Sequence, residues 1–178
     1  TDAKLVLNEE NSTYHVTMVE KLLVLLMAKL SNFIPNGGIW MNTQRPEWND
    51  ANNALVGNGL SMVTVCYLTR FIDFFEKVLK ANSHNSFVIS IEVIHWLKDL
   101  IKIYSDLEKE KVLIPDKIWH FAHRLGEASS NYRKKVYKTG FKGKSNLNKN
   151  DLIAFLKSSN LSLKRTIKTN FKKGNLFH

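Results

Sequence analysis

The stretch that decides the fold class is residues 60–80, LSMVTVCYLTRFIDFFEKVLK. Its large apolar side chains recur every three or four positions, which is the spacing of one face of an α-helix. We therefore predict a helix with an apolar face over this stretch. The members of the series are Leu60, Val63, Tyr67, Phe71, Phe74 and Val78.

Further helices are predicted on both sides of this one. Pro115 stands where the first turn of a helix accepts proline, and Asn150-Asp151 could cap the last helix. No alternating strand pattern of useful length is present. We expect an all-α fold of helical hairpins, in a bundle or in a larger array. The other predicted helices are residues 16–31, 87–105, 116–138 and 151–169.

The length of the chain bounds its organisation. With 44% apolar residues, the 178 residues suffice for one core, so residues 1–178 are expected to be a single all-α segment. Neither end has the pattern of a natural terminus, so a fragment of a larger domain is expected. The longest uncharged apolar run, residues 22–28, is far shorter than the roughly 20 residues that span a bilayer, and no membrane partner is expected. The single cysteine, Cys66, excludes an internal disulfide and is expected to be buried.

The charge of the chain is distributed unevenly. Residues 1–130 contain 13 Lys+Arg and 15 Asp+Glu, whereas residues 131–178 contain 13 Lys+Arg and one acid, Asp151. Such asymmetry is typical of proteins that bind nucleic acid or another anionic partner. However, the cations are 21 lysines and 5 arginines, and arginine would suit phosphate recognition better. The composition therefore argues against nucleic acid as the partner.

Residues 39–59 form a long segment without periodicity, which is uncommon in compact domains unless the segment is functional. Residues 40–53 contain two carboxylates, two indoles, an arginine, a glutamine and four asparagines. Flat aromatic faces and polar side chains suit the ring faces and hydroxyls of sugars. A carboxyl group beside an indole, such as Asp50 near Trp48, can stay protonated for general acid catalysis. A structural loop that caps the next helix is the alternative interpretation.

The run Glu47-Trp48-Asn49-Asp50, with Gly37-Gly38 before it and Asn52-Asn53 and a helix after it, resembles the catalytic loop of cellobiose-phosphorylase-type enzymes. These enzymes belong to the (α/α)6-barrel glycoside hydrolases and phosphorylases. The resemblance covers about 25 residues, and the chain departs from the family pattern at Glu47 and at Ala51-Asn52. It implies part of an (α/α) toroid, with the remainder supplied by the rest of the same polypeptide.

The resemblance also implies roles for individual residues. Asp50 would be the general acid for glycosidic bond cleavage, and Trp48 would line the sugar site. Glu47 is expected to bind a hydroxyl or hold the loop. Because no Gly-rich phosphate cradle is visible, a hydrolase is favoured over a phosphorylase, and the partner would be a carbohydrate substrate without a cofactor. The remaining substrate-binding candidates are Trp40, Asn49, Arg45, Gln44 and Asn52.

Two other patterns have alternative interpretations. His120, His123 and Glu127 lie on one helix face and could bind a metal, but the core face of that helix is expected at Ile118, Ala122 and Leu125, so a solvated flank without metal is favoured. The stretch 132–142 interleaves aromatic and basic residues as single-strand binders do. A basic outer helix face explains it as well. The second functional hypothesis is a non-catalytic helical module that uses the basic face of residues 131–178 to bind nucleic acid or another anionic partner.

Overall fold

The computed structural model describes residues 6–7, 10–41 and 59–171. Helices make up 67% of these residues. Four of the five predicted helices are found within two residues of their predicted bounds. The fifth, predicted at residues 87–105, begins four residues later than predicted, after a strand. The helices are α1 Met18–Leu30, α2 Met62–Ala81, α3 Ile91–Lys109, α4 Pro115–Thr139 and α5 Lys149–Asn170.

Two small antiparallel sheets accompany the helices, so the expectation of a purely α-helical fold is wrong in this respect. β1 (Phe33–Ile34), β2 (Gly38–Trp40) and β3 (Leu60–Ser61) form one sheet in that order. β4 (Ser86–Ser90) pairs with β5 (Lys144–Asn148) to form the other. The described part of the chain is mostly helical.

The strand β4 occupies the start of a segment that was predicted to be helical from residue 87. Phe87 and Ile89 are buried while Val88 between them is exposed, which is the two-residue alternation of a strand with one covered face. The strand is stabilised by β5, more than fifty residues later in the chain. A local helical spacing cannot reveal a partner at that distance, and the helix itself begins only at Ile91.

Local side-chain bonds fix where several helices begin. Thr17 and Ser61 accept hydrogen bonds from the backbone N–H groups of Glu20 and Thr64, and so cap α1 and α2. Pro115 occupies the first turn of α4, as predicted. The last helix is capped by Asn148, two residues before the predicted cap at Asn150-Asp151.

The core lies where α5 packs against α2 and α3, and α1 and α4 pack against α3. Tyr104 of α3 is fully buried at its centre and donates a hydrogen bond to the carbonyl oxygen of Leu30, 3.1 Å away. Cys66 is only half-buried, in contrast to the predicted buried thiol.

The buried face of α2 differs from the apolar series that predicted the helix. Of that series, Val63, Tyr67, Phe74 and Val78 are exposed. The core side of α2 instead consists of another apolar set. Because the helix is apolar on two sides, its periodicity identifies the helix but not the side that packs. The buried set is Val65, Leu68, Ile72, Phe75 and Leu79, together with Thr69.

Candidate functional site

Among the site residues predicted from the sequence, Trp40 is the one within the described part of the chain. The proposed general acid Asp50 lies outside the described residues. The same holds for the other predicted substrate-binding residues, Trp48, Glu47, Asn49, Arg45, Gln44 and Asn52. The surroundings of Trp40 therefore define the candidate site.

The sheet β1–β2–β3 holds Trp40 at the point where the described chain stops. The backbone N–H of Trp40 donates to the carbonyl oxygen of Asn32, 2.8 Å away. One residue further, the N–H of Met41 donates to the carbonyl oxygen of Gly59 over 3.2 Å. Met41 and Gly59, the described residues that flank the segment 42–58 with the predicted catalytic run, are thus hydrogen-bonded to each other next to Trp40.

Two glycines shape the turn that leads into β2. Gly38 adopts φ +146°, a conformation that other residues rarely adopt. A Cβ atom at Gly37 would lie 2.6 Å from Cδ1 of Leu60. The pair Gly37-Gly38 therefore allows the turn and lets Leu60 of β3 approach closely beside Trp40.

A cavity of about 640 Å³ lies between this sheet and α4, and we call it the aromatic cleft. Two indoles line it, Trp40 from β2 and Trp119 from α4, with 46% and 68% of their surfaces exposed. The ring of Trp119 stacks on His123, one helical turn later, with centroids 5.1 Å apart and planes within 5°. Leu60, Pro115 and Ile118 also line the cleft.

A second cavity, of about 760 Å³, continues along α4 between α1 and α3, and we call it the α4 groove. At its wall Trp96 stacks on Tyr132, with ring centroids 4.4 Å apart. Burial raises the pKa of Tyr132 to about 12. The polar lining is Lys29, Glu127, Ser129, Ser130 and Arg133. The residues that line both cavities are Asn32, Ala122, His123 and Gly126.

The core face that was predicted for α4 is only partly the face that packs. Leu125 is buried as predicted, but Ile118 and Ala122 are only partly buried and line the cavities. The buried side passes instead through Phe121, Leu125 and Ala128. The predicted core face of α4 thus includes part of the cavity lining. Sequence reasoning did not identify Trp119 or Gly126 as lining residues. For Gly126, the available signal was a glycine inside a predicted helix.

The three residues considered for metal binding do not form one site. All three are exposed, but His120 lines a depression with Asp106 and Arg124, away from the α4 groove that His123 and Glu127 line. Within residues 6–7, 10–41 and 59–171, no three His, Cys, Asp or Glu side chains are placed to hold a metal ion.

Several cations of the segment 131–178 are bonded within the fold. Lys149 donates to the carbonyl oxygen of Asn82 over 3.0 Å, and Arg165 donates to that of Lys111 over 2.7 Å. Two of the interleaved aromatic rings are also engaged. Tyr132 stacks on Trp96, and Phe141 stacks on Tyr14 at 4.8 Å. These contacts give much of the basic segment a structural role.

No model of a known protein family matches the chain, and no curated protein is significantly similar to it. In the described part of the chain, the helices are too short or too polar to cross a membrane.

Proposed function

We propose that the chain is part of a carbohydrate-active enzyme and that the aromatic cleft binds the sugar. The observation that carries the proposal is the pair of exposed indoles, Trp40 and Trp119, which line one cavity. Trp40 adjoins the hydrogen-bonded residues Met41 and Gly59, which flank the segment 42–58. That segment contains Glu47-Trp48-Asn49-Asp50, the run that resembles the catalytic loop of (α/α)6-barrel glycoside hydrolases and phosphorylases.

The chemistry of the cleft supports a sugar as the ligand. An exposed indole offers a flat apolar face for the C–H face of a pyranose ring, and its N–H can bond to a hydroxyl. The stacking of Trp119 on His123 holds the indole in one orientation. A preorganised aromatic face loses less conformational entropy when the ligand binds.

In the proposed reaction Asp50 is the general acid that protonates the leaving glycosidic oxygen. The nearby indole of Trp48 would favour the protonated carboxyl group at neutral pH by removing water. An inverting hydrolase also needs a carboxylate base on the far side of the sugar, and we assign that group to the remainder of an (α/α) toroid in the same polypeptide. Hydrolysis is favoured over phosphorolysis because the sequence lacks a Gly-rich phosphate cradle.

Sugar binding is tested with an array of defined oligosaccharides and with titrations of the bound ones. Trp119→Ala and Trp40→Ala are expected to weaken binding about tenfold, because each removes a stacking face worth roughly 1 kcal/mol or more. The matched control is Tyr137→Ala, which removes an exposed aromatic ring that does not line either cavity. Equal affinity of all three variants and the parent protein would refute the cleft as the sugar site.

Catalysis is tested with Asp50→Asn in the full-length protein. We expect turnover to be lost while sugar affinity remains, because the amide keeps the shape of the side chain but has no acidic proton. Asn53→Ala, in the same segment but outside the predicted site, is the control. Full activity of Asp50→Asn would refute the assignment of the acid.

A further inference from the structure

We propose that the aromatic cleft and the α4 groove together bind one neutral oligosaccharide, which crosses α4 beside Gly126. This inference rests on the carbohydrate function proposed above and extends it from a single sugar ring to a chain. The starting observation is that the two cavities share four lining residues and therefore meet on the surface of α4.

Gly126 marks the place where they meet. A Cβ atom built on Gly126 has no neighbour within 4 Å, so packing within the described residues does not require a glycine. Its backbone is helical within α4, and glycine in a helix interior costs about 1 kcal/mol relative to alanine. The glycine leaves the helix backbone open to a ligand, and the small side chains of Ala122 and Ser129 extend that open surface in both directions.

The lining changes character along the path. The aromatic cleft offers ring faces at Trp40 and Trp119, whereas the α4 groove offers hydroxyl and charged groups. Hydroxyls of Ser129 and Ser130 can both donate and accept, and the carboxylate of Glu127 accepts. These groups match the ring of hydroxyls on a sugar, so stacking at one end and hydrogen bonding at the other would act on different units of one chain.

The dimensions also favour an oligosaccharide. From Ile118 to Arg133 the lining follows α4 for about 22 Å at the rise of an α-helix. Each cavity alone has a volume typical of a small-ligand site, so the continuous path accommodates several units. Charges of both signs line the α4 groove, Lys29 and Arg133 as well as Glu127. The hydroxyls of an uncharged sugar chain can donate to the carboxylate and accept from both cations.

The experiment measures affinity against chain length. The probes are glucose oligomers of two to six units in three series, linked β-1,4, α-1,4 and β-1,3, titrated by calorimetry. One of the three series is expected to bind the parent protein. Within that series, the longer oligomers should have about tenfold higher affinity than the disaccharide, because one or two additional hydrogen bonds raise affinity by about that factor.

Variants restricted to the α4 groove separate the two cavities. Ser130→Phe fills the groove without touching the aromatic cleft, and Ser130→Ala is its matched control. We expect Ser130→Phe to bind the disaccharide as the parent does, while the gain with chain length disappears. Glu127→Ala, at an exposed position where folding is not at risk, should reduce the same gain about threefold, the value of a single lost hydrogen bond.

The outcomes distinguish this inference from the function on which it rests. If the disaccharide binds and chain length adds no affinity, or if the gain persists in both Ser130→Phe and Glu127→Ala, the extended site is refuted and the carbohydrate function stands. If no member of the three series or of the oligosaccharide array binds, both proposals are refuted.

Discussion

The buried carboxylate of Glu20 accepts a hydrogen bond from the backbone N–H of Ser90, 3.0 Å away and seventy residues later in the chain. The hydroxyl of Ser90 donates to the other oxygen of the same carboxylate. Ser90 precedes the first turn of α3 and makes no side-chain capping bond there. Glu20 of α1 thus holds the residue that precedes α3 through both of its polar groups, and a negative charge at this end of α3 is also favoured by the helix dipole.

We predict that Glu20→Ala lowers the free energy of unfolding by about 1–3 kcal/mol, because it leaves the buried N–H of Ser90 without its acceptor. Urea denaturation monitored by circular dichroism measures the change. The matched control is Glu108→Ala, which removes an exposed carboxylate that accepts a hydrogen bond from Ser158. A loss of stability no larger than that of the control would show that the bonds between Glu20 and Ser90 do not stabilise the fold.

Neighbouring phenylalanines in α2 are predicted to differ sharply in their contribution to stability. Phe75 is 1% exposed and Phe74 is 58% exposed. Phe75→Ala should lower the free energy of unfolding by about 3–5 kcal/mol through lost apolar contact and an unfilled cavity. Phe74→Ala should change it by less than about 1 kcal/mol. Thermal or urea denaturation of the two variants measures the difference and tests which face of α2 packs against the core. Equal losses of stability would place both rings in the core.

Substitution by alanine is predicted to change the stability of the protein in opposite directions at Gly38 and at Gly126. Gly38→Ala should lower stability by about 1–3 kcal/mol, because φ +146° is unfavourable for a residue with a Cβ atom. Gly126→Ala should raise stability by about 1 kcal/mol, because the new methyl group meets no neighbour and alanine favours the helix. Each is measured as a shift in the urea midpoint, and a destabilising Gly126→Ala would show that the surface of α4 is not open there.

The sequence predicts elements that are stabilised by neighbouring residues better than elements that depend on residues far along the chain. α1 was predicted at residues 16–31 and found at Met18–Leu30, because its spacing and its cap at Thr17 are local. β4 was missed because its partner, β5, lies far along the chain. The same limit applies to the site. Trp40 was predicted from its own segment, whereas Trp119 reaches the cleft only because α4 packs against β1, a contact with no local signal.

The stability of the protein at alkaline pH is predicted to depend on Tyr132, which stacks on Trp96. The pKa of Tyr132 is raised from 10.0 to about 12, mainly by burial and also by the negative charges of Glu20 and Glu92. The folded protein therefore retains a proton that the unfolded chain releases near pH 10. The stabilisation is fully present below pH 10 and is lost as the pH rises towards 12.

We expect the free energy of unfolding to fall over this range, and ionisation of Tyr132 to appear near pH 12 in an absorbance titration at alkaline pH. Tyr132→Phe keeps the ring against Trp96 and removes the ionisable hydroxyl, so its stability should decline less between pH 10 and pH 12. Tyr67→Phe is the control, because Tyr67 is exposed and lies outside the stack of Trp96 and Tyr132. An identical decline in both variants would show that the Tyr132 proton does not govern the alkaline transition.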